Sequence, residues 1–120
     1  MGSIIQFQDI TNNPVYPGVR DITPEELLKY KLEVELIDVR QNHEFIGELH
    51  HIPGAKLLTL DTLPQRLEEL PKDKTIVFIC RSGNRSGHAA LFCQQHGFEH
   101  VYNLQGGMIL WNEKALETEG

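Results

Sequence analysis

The sequence predicts an α/β fold: a central, mainly parallel five-stranded sheet flanked by helices on both faces. Two observations carry this expectation. Short β-branched runs alternate with helical signals along the chain, and strands separated by helices imply a parallel sheet covered on both sides. One run, Lys74 to Ile79, is nearly all apolar and β-branched, as a strand buried on both faces should be.

Taken in order, the first 18 residues hold Asn12, Asn13, Pro14, Pro17 and Gly18 and read as an irregular lead-in. Residues 19–120 read as one domain. Val19 to Ile22 suits a short strand. Thr23-Pro24-Glu25-Glu26 is a helix start, with Thr23 as cap, Pro24 at the first helical position and Glu26 completing a capping box. That helix runs to about Lys31. Val34 to Val39 is the second strand, and a short helix over 41–46 stops at Gly47. Ala55 to Thr59 is a third strand, after the turn His51-Ile52-Pro53-Gly54. Leu63, Leu67 and Leu70 lie at helical spacing, with Pro71 as the stop. After the strand at 74–79, a helix over 86–96 is expected, capped by Ser86 and ended by Gly97. Val101 to Leu104 is the last strand and 108–116 the last helix.

A chain of 120 residues supports one core and not two. Its formal charge of −6, from 11 basic and 17 acidic residues, argues against a general binder of nucleic acid or of an anionic membrane. The longest apolar stretches are about five residues, far short of the ~20 that span a bilayer. The N-terminal MGSIIQFQDI lacks the basic and apolar regions of a secretory signal, and Gln6 breaks the myristoylation pattern. With only Cys80 and Cys93, and no CxxC pair, a disulfide scaffold is not expected and cytoplasmic residence is.

Chemistry concentrates in Cys80-Arg81-Ser82-Gly83-Asn84-Arg85-Ser86. Ligands of open α/β sheets bind beyond the carboxyl ends of the strands, and Cys80 stands at such an end. A thiol becomes a nucleophile only as thiolate, so its surroundings must favour negative charge. A following helix N-terminus, a glycine that lets loop N–H groups turn inward, and two arginines would do so. At this level sulfur transfer, phosphate chemistry and a merely buried cysteine all remain open.

The segment IVFICRSGNRSGHAALFCQQHGFEHVYNLQGGMILW resembles the active-site half of a rhodanese-like sulfurtransferase domain. The likeness continues upstream through LIDVRQNHEF and HHIPGA and covers about residues 19–116, with Leu104-Gln105-Gly106-Gly107 and Trp111 in support. The resemblance implies that Cys80 takes a sulfur from a small anionic donor such as thiosulfate. It would hold that sulfur as a persulfide and pass it to cyanide, a thiol or a protein acceptor. The N–H groups from Arg81 to Ser86 would steady the sulfur, Arg81 would meet the donor, and Arg85 would shape the loop end. The closest competitor is a cysteine phosphatase or arsenate reductase. Those phosphatases use Cys-x5-Arg, whereas Cys80 and Arg85 stand as Cys-x4-Arg, and the shorter loop suits a single sulfur. A rhodanese module that only binds partners is the other alternative.

Several residues are expected to be structural. Asp38 accepts hydrogen bonds from a loop, and Arg40 pairs with Glu44. His43, His50 and His51 have no thiolate or carboxylate partner at metal-ligand spacing, so neither a metal nor another cofactor is expected. His51 belongs to the His-Ile-Pro-Gly-Ala turn, and His50 stands where the family usually has glycine. His88 is read as an idle exposed side chain or a neighbour of the site. Cys93 is placed on a buried helix face, Trp111 against the sheet, and Gly106-Gly107 close to the active loop.

Overall fold

The computed structural model describes residues 4–120. Its sheet has six strands: β1 (Ile10–Asn12), β2 (Arg20–Ile22), β3 (Glu35–Asp38), β4 (Lys56–Leu57), β5 (Ile76–Ile79) and β6 (Val101–Leu104). Their spatial order is β1-β2-β6-β5-β3-β4, and only β1 runs antiparallel to its neighbour. The helices are α1 (Pro24–Tyr30), α2 (Asn42–Phe45), α3 (Asn84–Gln94) and α4 (Gly107–Glu113). The mainly parallel α/β expectation holds. No helix among the described residues is long and apolar enough to cross a membrane.

The sixth strand is a departure. Residues 10–12, read as part of an irregular lead-in, pair with β2 in the register Ile10 with Ile22 and Asn12 with Arg20. The Asn-Pro-rich stretch after them is the turn of this hairpin. Asn13 closes it, with its backbone N–H donating to Val19 at 2.9 Å and its Oδ1 accepting from the N–H groups of Val15 and Tyr16 at 2.8 Å. Turn chemistry was legible there, but a three-residue edge strand is too short for alternation to announce it. The first three residues of the lead-in lie outside the described residues.

Alternation along the central strand divides the core. Ile76 and Phe78 face one layer with Ile37, Val101, Ala89, Ala90 and Cys93. Val77 and Ile79 face the other, with Ile22, Leu27, Leu104, Met108 and Trp111. Helix α3 therefore covers one face, and α1 and α4 cover the other. All four residues of β5 are fully buried, as its composition demands.

Three local expectations are corrected. The helix over 63–70 is instead two 3₁₀ turns, Leu60–Gln65 and Leu67–Glu69, broken at Arg66 (φ −122°). Pro64 has no N–H to donate, which weakens an α-helical ladder there, while Leu63 and Leu70 still reach the core. Glu26 does not complete a capping box. Thr23 Oγ1 accepts from the Glu26 N–H at 3.1 Å, but the Glu26 carboxylate accepts from the Gln8 N–H at 2.6 Å and ties the lead-in to α1. Ser86 does not cap its helix, because α3 begins two residues earlier, after Gly83.

Candidate active site

β5 ends at Ile79, and the chain turns at once. Gly83 makes the turn possible with φ +103°, a left-handed conformation that side chains resist, and serves as N-cap of α3. The turn folds back over Cys80. Its sulfur is almost wholly buried, accepts a hydrogen bond from the Gly83 N–H at 3.1 Å, and lies 3.2 Å from Ser86 Oγ.

The far side of the loop is held by the start of α4. The Met108 N–H donates to the Cys80 carbonyl at 2.8 Å, and the Ile109 N–H to the Arg81 carbonyl at 3.0 Å. Gly107 lies so close that a Cβ there would sit 2.5 Å from the Cys80 carbonyl oxygen and 2.6 Å from that of Arg81. The glycine pair thus makes the close approach that its residue type suggests.

The loop side chains divide by environment. Arg81, Ser82 and Asn84 are exposed, and Gly83 and Ser86 are buried. Arg81 lines a cavity of about 270 Å³ with Arg40, His43, Glu44 and Leu49. Ser82, Gly83 and Asn84 line a second, of about 290 Å³, with Tyr16, Asp21 and Asn103. Arg85 is half-buried and engaged: its Nη1 and Nη2 donate to the two oxygens of Glu44 at 2.8 and 2.7 Å. That fork pulls the Glu44 carboxyl down to about 2, and Glu44 in turn raises Arg85.

The pairing corrects one expectation. Arg40 does not bond Glu44. Its Nε and Nη2 donate to both oxygens of Asp38, at 2.9 and 2.8 Å, and Nη2 also reaches the His50 carbonyl at 2.8 Å. Both Asp38 and Arg40 are buried, so this fork is structural and fixes the turn after β3. His50 adopts φ +57°, which explains why glycine suits that position. His51 Nδ1 meets the Phe45 carbonyl at 2.8 Å and its ring stacks on Phe45 at 3.7 Å.

Burial on the inner face of α3 pushes the Cys93 thiol up to about 12, away from nucleophilic use. His88 is exposed and stacks on Tyr16, 5.9 Å between centroids. Among the described residues no cluster of His, Cys, Asp or Glu is placed to hold a metal ion.

Three polar residues escaped the sequence reading: Asn103, Asp21 and Asn13. Asn103 bonds Ser86 and Asp21, and Asp21 bonds Asn13. A signal was present at Asn103, which interrupts the apolar strand Val101–Leu104, but not at Asp21, which follows Arg20 in β2.

Comparison with known proteins bears on the family and the fold. The profile of the rhodanese-like domain matches residues 23–114. A sulfurtransferase of Allochromatium vinosum is 37% identical over 101 residues, spanning 82% of this chain and 92% of that protein. A putative sulfurtransferase of Bacillus subtilis is 41% identical over 88 residues, spanning 70% of this chain and 82% of that one. Among solved structures, a rhodanese-related protein from Thermoplasma volcanium superposes with a TM-score of 0.75 at 27% identity, covering 82% of this chain and 96% of that chain.

Proposed function

The chain belongs to the rhodanese-like domain family, and from that premise we propose that it is a sulfurtransferase whose Cys80 carries sulfur as a persulfide. The observation that carries this reading is the position of the Cys80 sulfur, turned into its own loop and met there by the Gly83 N–H and the Ser86 hydroxyl.

In the first step the Cys80 thiolate attacks the outer sulfur of thiosulfate. The S–S bond of the donor breaks and sulfite leaves with its electron pair. The new terminal sulfur carries negative charge and takes hydrogen bonds from the loop N–H groups between Arg81 and Ser86. In the second step an acceptor, cyanide or a thiolate, attacks that terminal sulfur and Cys80 leaves as thiolate. Donor and acceptor use the same site in turn, which gives ping-pong kinetics. Arg81, exposed beside the loop, attracts the anionic donor.

Arg85 has a different role from the arginine of a phosphatase. Its two terminal nitrogens are engaged by Glu44, so it shapes the loop rather than gripping two phosphate oxygens. This supports sulfur over phosphate as the group transferred.

Incubation with thiosulfate followed by intact-mass measurement tests the proposal. One added sulfur is expected, absent in Cys80→Ser. No adduct on the wild-type chain would overturn the persulfide reading in favour of a partner-binding module. Faster turnover of an aryl phosphate than of thiosulfate with cyanide would overturn sulfur transfer in favour of phosphate chemistry.

A further inference from the structure

Behind Ser86 runs a row of buried polar side chains, Asn103 and Asp21, that sulfur transfer as described above does not use. Ser86, Asn103 and Asp21 are 0%, 1% and 6% exposed. Ser86 Oγ stands 3.2 Å from Cys80 Sγ and in short contact with Asn103 Oδ1. Asn103 Nδ2 donates to Asp21 Oδ1 at 2.9 Å, and the same oxygen accepts from Asn13 Nδ2 at 3.0 Å. Asp21 and Asn103 are direct partners in the parallel register of β2 and β6, so the sheet itself sets their spacing. Polar groups buried in strands are costly unless bonded, and here each finds a partner.

Counting protons gives the row a direction. Ser86 has one hydroxyl hydrogen and two neighbours that can accept it. Asn103 gives its Nδ2 hydrogen to Asp21, so it turns its amide oxygen to Ser86. An amide oxygen only accepts, so the hydroxyl hydrogen must fill the Ser86–Asn103 contact, whereas the thiol can fill the other with its own S–H. Ser86 then shows a lone pair, not a proton, to Cys80.

We infer that Asp21 and Asn103 are positioning residues acting through Ser86: they point its hydroxyl hydrogen away from Cys80, so that the resting thiol donates its S–H to Ser86 Oγ. When the thiol loses its proton to solvent, the hydroxyl rotates toward the sulfur and gives up Asn103. Two charges near the loop are matched elsewhere, Arg85 by Glu44 and Asp38 by Arg40, while Arg81 is exposed. The inference rests on Cys80 being the nucleophile, but not on the identity of what it attacks.

The test is alkylation of Cys80 by iodoacetamide at neutral pH, with peptide mapping to score Cys93 separately. Asn103→Leu removes the amide oxygen that takes the Ser86 hydrogen and frees the hydroxyl for the sulfur. Alkylation is expected to rise roughly threefold to tenfold, the worth of one hydrogen bond. Leucine also changes the packing beside Ser86, so the substitution is repeated in Ser86→Ala and Ser86→Thr backgrounds. The rise should vanish with Ser86→Ala and return with Ser86→Thr. An equal rise in the Ser86→Ala background overturns the inference, as does no rise in a variant that melts like the wild type. Should Asn103→Leu fail to fold, Asp21→Ala removes the acceptor that orients the Asn103 amide and should show the same dependence on Ser86. A chain that alkylates in this pattern but takes no sulfur from thiosulfate would sink the sulfurtransferase reading and leave this one standing.

Discussion

Glu44 shows how one side chain can be misassigned by spacing and placed by tertiary contact. Four residues separate it from Arg40, the usual helical pairing distance, yet its partner is Arg85, 41 residues away. Arg40 was already committed to Asp38, two residues back, in a fully buried fork. The Glu44–Arg85 pair predicts a pH window. The folded carboxyl titrates at about 2 against an ordinary 4.5. Its contribution is therefore complete above pH 4.5 and is lost as the pH falls toward 2. Because both partners are partly exposed, the effect is about 0.2–1 kcal/mol. Urea unfolding at pH 7 and pH 3 should show the wild-type chain losing more stability than Glu44→Gln over that interval. Equal losses would mean that the pair contributes nothing.

Among the elements, α4 has the largest influence on the active loop. Its first N–H groups hold the carbonyls of Cys80 and Arg81, and this grip depends on Gly107 having no side chain. Gly107→Ala would put a methyl 2.5 Å from the Cys80 carbonyl, at a residue with φ +57°. Destabilisation of about 1–3 kcal/mol is expected, with the loop displaced. Misplacing a reactive group by about 1 Å can cost on the order of a hundredfold in rate, so sulfur-transfer activity should fall far more than folding does. Thermal melting beside a thiosulfate–cyanide assay would measure both. Activity falling only in proportion to the unfolded fraction would remove α4 from the control of the loop. The turn between β6 and α4 was legible from Gly106 and Gly107, as was its approach to the loop after β5, but the carbonyls it meets were not, because nothing local shows which backbone atoms lie opposite.

The whole molecule is a two-faced sheet whose central strand serves both layers. Phe78, fully buried in the layer beneath α3, is expected to cost about 3–5 kcal/mol as Phe78→Ala, a drop of roughly 10–20 °C in melting temperature. A drop of only a degree or two would place the core elsewhere. At this scale the sequence by itself determined the architecture. Alternating strand and helix signals set the mainly parallel order, and an apolar β5 set the double coverage, because burial pattern is written in residue type and period. It also marked the candidate reactive segment, since a thiol, a glycine and a helix start lie within seven consecutive residues. Only the tertiary structure decided how those residues are employed. It gave β1 a place at the sheet edge, passed Arg85 to Glu44, broke 60–69 into 3₁₀ turns, and lined up Asp21, Asn103 and Ser86 behind the sulfur. The physical reason is that hydrogen bonds and ion pairs depend on distance in space. Residues 21, 86 and 103 meet because parallel pairing puts the ends of β2 and β6 side by side and the start of α3 beside them.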